Sequence, residues 1–128
     1  MIETKNLKIS FGSLNVLKDI STTIKQGEKV VIIGPSGSGK STLLQCVGLL
    51  DRPTNGSIMI GGASVQKMDE DMRTQIRRNK IGFVYQKHNL LSDFTAVENV
   101  MLPMLANGAD EDVAYVIECY TEIVKEYR

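Results

Sequence analysis

The sequence has no tryptophan, one histidine, two cysteines and only 5% aromatic residues. Its 15 Lys and Arg residues balance 15 Asp and Glu residues, so no charge excess points to nucleic acid or an anionic membrane surface as a partner. The longest unbroken aliphatic run is Val30 to Ile33, far below the roughly 20 residues that a membrane-spanning helix needs. The 128 residues suffice for one domain of ordinary size.

The N-terminus and the cysteines both favour a cytoplasmic protein. The first residues, MIETKNLKIS, carry Glu3 and no apolar core, so we do not expect a signal peptide. Cys46 and Cys119 lie far apart in the sequence and lack the spacing of a metal site. We expect reduced thiols, with a disulfide between them as the less favoured alternative, because disulfides are rare in the cytoplasm.

Hydrophobic periodicity predicts a mixed α/β fold that begins with strands, the first two separated by a turn at Gly12-Ser13. The run from Lys29 to Ile33 is uniformly apolar after its first residue, which predicts a strand buried on both faces. Strands are predicted, in chain order, for residues 7–11, 17–24, 29–33, 56–62 and 81–86.

Four helices are predicted, for residues 41–50, 69–78, 95–105 and 110–128. Thr95 and Glu98 stand in capping-box register at the start of the third helix. The last helix has an apolar stripe at helical spacing, so it is amphipathic. The basic run from Arg73 to Lys80 is interpreted as a solvated helix face in preference to a binding patch.

The segment GPSGSGKS, residues 34–41, matches the phosphate-binding loop pattern. Glycines let the backbone curl so that successive N–H groups converge on phosphate oxygens, and the Lys40 ammonium reaches the phosphates as a point charge. The Ser41 hydroxyl is placed to ligate Mg²⁺, and the helix that starts there points its positive end at the phosphates. A flexible Gly-Ser linker would not stand between a strand pattern and a helix pattern. The residues expected to bind ATP here are Gly34, Ser36, Gly37, Ser38, Gly39, Lys40, Ser41 and Thr42.

Over residues 1–108 the chain resembles the ATPase subunit of ABC transporters, through LKDISTTIKQGEKVVIIGPSGSGKSTLLQCVGLLDRPTNGSIMIGG and IGFVYQKHNLLSDFTAVENVMLPML. The resemblance implies that Phe11 stacks on adenine and that Val16 lies beside the nucleotide. It implies that Gln86 contacts Mg²⁺ and the attacking water, which makes Gln86 and Lys40 the catalytic candidates. It also implies that residues 87–105 dock on a membrane permease at the inner face of the plasma membrane, with a homodimer as a further possibility.

The chain departs from this family in one substantial way. His88 and Ser92 are small departures, and His88 is interpreted as a solvated or partner-facing side chain in preference to a catalytic base. The sequence contains no Leu-Ser-Gly-Gly-Gln signature, no aliphatic run ending in Asp-Glu and no switch histidine. We therefore expect an α/β P-loop domain that is the N-terminal half of an ABC ATPase core over residues 1–108 and begins with an antiparallel β-subdomain. An amphipathic tail helix, 109–128, is expected to pack on it. Such a chain would hold Mg-ATP but hydrolyse it poorly on its own.

Two other functions are kept as alternatives. One is a non-hydrolytic P-loop module that recruits a partner through the tail helix. The other is a small nucleotide or metabolite kinase, which is ranked last because the Arg cluster precedes a strand instead of forming a lid. The transported substrate and its direction stay open, because ENVMLPML resembles lipoprotein or macrolide exporters while the N-terminal part resembles polar amino-acid importers.

Overall fold

The computed structural model of the chain contains two compact units, Met1–Gly82 and Phe83–Arg128. It describes residues 1–85, 89–106 and 108. The predicted tail helix over 110–128 lies outside the described residues, and so do Gln86 and His88. Within the described part of the chain, no helix is long and apolar enough to cross a membrane.

The first unit is built on a four-stranded antiparallel sheet. Its strands are β1 (Ile2–Phe11), β2 (Leu14–Ile24), β3 (Asn55–Ile60) and β4 (Ala63–Ser64), in the spatial order β2-β1-β3-β4. β1 and β2 form a hairpin in which Leu7 faces Ile20 and Ile9 faces Leu17. This arrangement confirms the N-terminal antiparallel β-subdomain expected for the ABC ATPase core.

One face of the sheet carries the core of the first unit. Leu7 and Ile9 of β1 and Leu17 of β2 are buried in this core, and α1 (Lys40–Val47) contributes Cys46 to it. The buried apolar residues are Leu7, Ile9, Leu17, Cys46, Leu49, Ile58 and Val65. Cys46 is a free thiol within this core, as predicted.

Two further helices begin at side-chain caps. The Asp69 side chain accepts a hydrogen bond of 2.8 Å from the Met72 N–H at the start of α2 (Glu70–Lys80). Thr95 and Glu98 form the predicted capping box at the start of α3 (Ala96–Leu105) in the second unit. These caps satisfy amide groups that a helix cannot pair internally. A single 3-10 turn, Val65–Lys67, precedes α2.

The predictions of a buried strand over 29–33 and of a strand over 81–86 are wrong for the residues that the structure describes. Residues 29–33 and 81–85 form no strand there, and Val31 and Ile33 are 80% and 90% exposed. An apolar run can indicate that a segment would be buried, but a strand also needs hydrogen-bonded neighbours. Neither segment pairs with any strand of the sheet in the described part of the chain.

The first helix also ends earlier than predicted. α1 stops at Val47 and not at residue 50, because Leu49 adopts a left-handed backbone conformation with φ of 64°. A residue with a side chain rarely takes this conformation, so the sequence carried no signal for it.

Candidate functional site

The phosphate-binding loop leads directly into α1. Gly37 and Gly39 have φ angles of 77° and 89°, which residues with a Cβ atom rarely adopt. Gly39 is the N-cap residue of α1, so no side chain at that position competes for the amide groups of the first helical turn. The positive end of the helix and its amide donors are therefore available to an anion.

The loop lies against the second strand of the hairpin. A Cβ atom on Gly39 would come within 2.8 Å of Leu17 Cδ2 and 3.1 Å of Val16 Cγ1. A larger residue would displace these two side chains and would be strained at a φ of 89°, so glycine favours this close approach of α1 to β2. The structure thus brings Val16 next to the loop, and its place beside the nucleotide stays a prediction.

Lys40 folds back over the loop that precedes it. Its Nζ atom donates hydrogen bonds to the carbonyl oxygens of Gly34, at 2.8 Å, and Pro35, at 2.7 Å. The ammonium therefore sits at the mouth of the loop, where phosphate oxygens would replace the carbonyl oxygens as acceptors. Glycine backbone, ammonium and uncapped helix start together fit a nucleotide phosphate chain.

The first turn of α1 offers hydroxyl groups beside the ammonium. Ser41 is exposed there and Thr42 is half-buried, while Ser36 and Ser38 are exposed on the loop. Among the described residues, no cluster of three or more His, Cys, Asp or Glu side chains forms a protein cage for a metal. Mg²⁺ is commonly held by one or two protein ligands together with substrate phosphates and water. Ser41 is the residue that would supply the protein ligand.

Of the two other predicted site residues, Phe11 is described by the structure and Gln86 is not. Phe11 lies at the end of β1, opposite Leu14 in the hairpin, and is 58% exposed, so its ring is available for stacking. Its role as an adenine platform stays a prediction. Gln86 lies outside the described residues, and its predicted contacts with Mg²⁺ and water stay predictions too.

The interpretation of residues 73–80 as a solvated helix face is wrong for Arg73, which is only 3% exposed. Burial, followed by the positive charge of Arg52, lowers the pKa of Arg73, and the Glu70 carboxylate opposes this effect. Hydrogen bonds from Arg52 and then Arg77 lower the pKa of Glu70. The sequence did contain a signal, because Arg73, Ile76 and Arg77 lie on one face of a helix. No feature of the sequence predicts that this face of α2 contacts Leu49, just after the end of α1.

The sequence is similar to a protein family and to individual known proteins. A family profile described as ABC transporter matches residues 17–126. The chain is 49% identical over 112 residues to the lipoprotein-releasing system ATP-binding protein LolD of Legionella pneumophila (strain Lens), an alignment that covers 84% of this chain and 49% of the relative. It is 52% identical over 108 residues to the LolD protein of Bacteroides fragilis (strain YCH46), covering 84% of this chain and 50% of the relative.

Two solved structures are similar in both fold and sequence. The dimeric bacterial ABC transporter cassette MJ0796 matches with a TM-score of 0.79 and 46% identity, covering 82% of this chain and 47% of the cassette. A post-hydrolysis dimer of MJ0796 bound to ADP and Pi matches with a TM-score of 0.82 and 41% identity, covering 93% of this chain and 55% of the cassette. The chain therefore spans about half the length of the proteins that it matches.

Proposed function

The chain belongs to the ABC transporter family, and from this premise we propose that it binds Mg-ATP through residues 34–42. The observation that carries the proposal is the geometry of the loop. Gly39 starts α1 without a side-chain cap, and the Lys40 ammonium lies across the loop mouth at 2.8 Å from the Gly34 carbonyl oxygen. Backbone donors and one positive charge are therefore brought together at the start of α1.

Each residue of the site has a distinct task in this proposal. Lys40 exchanges its two carbonyl acceptors for β- and γ-phosphate oxygens, and the amide groups at the start of α1 donate to the same phosphates. The Ser41 hydroxyl binds Mg²⁺, which when present neutralises phosphate charge. The exposed Phe11 ring stacks on the adenine.

We further propose that the 128-residue chain turns over ATP poorly by itself. Hydrolysis requires a group that orients water and groups that stabilise the transferring phosphoryl. The sequence has neither an aliphatic run ending in Asp-Glu nor a Leu-Ser-Gly-Gly-Gln signature. Binding without efficient turnover follows from a chain that has the phosphate cradle but lacks these motifs.

The partners are proposed from the relatives and from one exposed segment. The relatives are ATP-binding proteins of lipoprotein-releasing systems, and the MJ0796 cassettes are dimers. Residues 89–105 are the described part of the predicted docking segment, and they expose Leu90, Leu91 and Phe94. We propose that this segment contacts a permease of the lipoprotein-releasing type at the inner face of the plasma membrane, and that the nucleotide-bound chain pairs with a second cassette.

Neither of the two alternative functions is supported by the residues that the structure describes. A small kinase conflicts with the family to which the chain belongs. A non-hydrolytic module that recruits a partner through the tail helix depends on residues 110–128, which lie outside the described residues.

A titration of the chain with Mg-ATP tests the binding proposal. Lys40→Ala should weaken the affinity at least tenfold, which is about 1.4 kcal/mol. Lys29→Ala is the matched control, because Lys29 is an exposed lysine that precedes the loop; its affinity should stay within about twofold of the parent. Equal affinities for the parent and Lys40→Ala would rule out binding through this loop.

A further inference from the structure

The C-terminal end of α1 is held in an unfavourable backbone conformation. Leu49 has a φ of 64°, although its side chain is fully buried in the core. The turn is closed by the Leu49 N–H, which donates to Cys46 O at 3.1 Å, and by the Leu50 N–H, which donates to Gln45 O at 2.8 Å. A branched residue keeps a left-handed conformation only where the surrounding structure enforces it.

Two arginines of α2 hold the carbonyl group of this same residue. Arg73 Nη2 donates to Leu49 O at 2.9 Å and to Asp51 O at 3.3 Å, and Arg77 Nη1 donates to Leu49 O at 2.8 Å. The last turn of α1 has no basic residue of its own. The positive charge that stabilises the carbonyl end of a helix is therefore supplied to α1 from another helix.

A single carboxylate orients both arginines. Glu70 Oε2 lies 3.4 Å from Arg73 Nε, and Glu70 Oε1 lies 3.1 Å from Arg77 Nη1. Arg52 Nη2 adds a third contact to Glu70, at 2.9 Å. Arg73 is nearly inaccessible, so its guanidinium has little freedom to leave Leu49.

We propose that Arg73 and Arg77 are positioning residues for nucleotide binding, because they anchor the far end of the helix whose first turn carries Lys40 and Ser41. α1 has only eight residues, and so short a helix depends on tertiary contacts to keep its place. Besides the burial of Cys46 in the core, contacts hold it at both ends: Gly39 packs against Val16 and Leu17, and the two arginines bind the Leu49 carbonyl. The inference rests on the proposed binding of Mg-ATP by this loop.

Arg77→Ala and Arg78→Ala form a matched pair for the test. Both remove one arginine from α2, but Arg78 is exposed whereas Arg77 donates to Leu49 O. Arg77→Ala should weaken Mg-ATP affinity by about threefold to tenfold, and Arg78→Ala by less than about twofold. Arg77→Lys, which keeps a donor for the carbonyl oxygen, should recover most of the affinity. Thermal melting of the same variants is measured alongside.

The outcomes separate this inference from the proposed function. If Lys40→Ala loses affinity but Arg77→Ala matches Arg78→Ala, the inference is overturned and the binding proposal stands. It is equally overturned if Arg77→Ala lowers only the melting temperature, or if Arg77→Lys binds no better than Arg77→Ala. No loss in Lys40→Ala overturns both proposals. Should Arg77→Ala lack the far-ultraviolet circular dichroism of the parent, Glu70→Gln decides, since it loosens both arginines: weaker affinity supports the inference and parental affinity overturns it.

Discussion

The ammonium of Lys40 lies 2.8 Å from the carbonyl oxygen of Gly34, the residue that opens the phosphate-binding loop. Lys40, the last residue but one of the loop pattern, is thus hydrogen-bonded to Gly34, the first. Pro35 O accepts a second hydrogen bond from Lys40 Nζ, at 2.7 Å. The Lys40 side chain therefore links the two ends of the loop and also places a positive charge beside it.

This closure predicts that charge alone does not suffice at position 40. Lys40→Arg keeps the positive charge, but a planar guanidinium is bulkier than a compact ammonium. It should therefore fit less well where phosphate oxygens would replace the carbonyl oxygens of Gly34 and Pro35. We expect Mg-ATP affinity to fall by about threefold or more, which corresponds to at least about 0.7 kcal/mol. Isothermal titration of Lys40→Arg beside the parent measures this, and an unchanged affinity would show that the ammonium acts only through its charge.

The exposed ring of Phe11 leads to a prediction about base recognition. Phe11→Ala should weaken ATP binding by on the order of 1 kcal/mol through lost stacking, and should leave affinity for inorganic triphosphate unchanged. Leu14→Ala is the control, because Leu14 is exposed and pairs with Phe11 across the hairpin. If Phe11→Ala weakened triphosphate binding equally, the ring would be supporting the hairpin and not binding the base.

The Cys46 thiol predicts how stability changes at alkaline pH. Burial, followed by the charge of Asp51, raises the pKa of Cys46 from 9.0 to about 11. In the unfolded chain the thiol ionises near pH 9, whereas the folded chain keeps its proton, so ionisation favours unfolding. The stabilising contribution should be complete below about pH 9 and should be lost as the pH rises through 11.

Urea unfolding at a series of pH values checks this in a Cys119→Ser background. Cys46→Ala provides the reference, since its stability lacks this thiol's dependence on pH. A Cys46 chain that loses no more stability than Cys46→Ala between pH 8.5 and about 11 would contradict the prediction. Iodoacetamide should modify Cys46 only as fast as the chain opens, because the thiol is fully buried.

The parts of the fold that the sequence predicted correctly are those set by local signals. The turn at Gly12 and the alternation on either side of it predict the hairpin of β1 and β2. Thr95 and Glu98, three residues apart, predict the start of α3. At α3 the two residues that carry the signal are also the residues that make the hydrogen bonds.

The errors arose where a distant part of the chain decides the outcome. Val30 to Ile33 are apolar enough for a central strand, but no local feature states whether neighbouring strands are present. From the sequence, Arg73 is expected at the surface. In the structure, the carbonyl oxygen of Leu49, which is far from Arg73 in sequence, lies 2.9 Å from its guanidinium. The phosphate-binding loop was predictable because its function constrains adjacent residues, whereas the anchoring of its helix joins separate segments.

The last prediction concerns turnover. A positioned general base contributes about 10² to 10⁴-fold to a reaction rate, and a missing signature motif removes further stabilisation of the γ-phosphate. We therefore expect the 128-residue chain to release phosphate near the uncatalysed rate even at saturating Mg-ATP. Gln86→Ala should then change almost nothing, because positioning a water has little effect when no base activates it.

Steady-state phosphate release, compared among the parent, Lys40→Ala and Gln86→Ala, measures this directly. Turnover of about 0.1 per second or faster would approach the slow end of ordinary enzymes. If Lys40→Ala abolished such turnover, another residue of the chain would have to supply the base. The first carboxylates to replace by amides are Asp110, Glu111, Asp112 and Glu118. They belong to the segment that does not resemble the signature region of the family. A loss of rate in one of those four variants, with Mg-ATP affinity unchanged, would identify that carboxylate as the base, because a group that acts only in the chemical step lowers kcat without weakening binding.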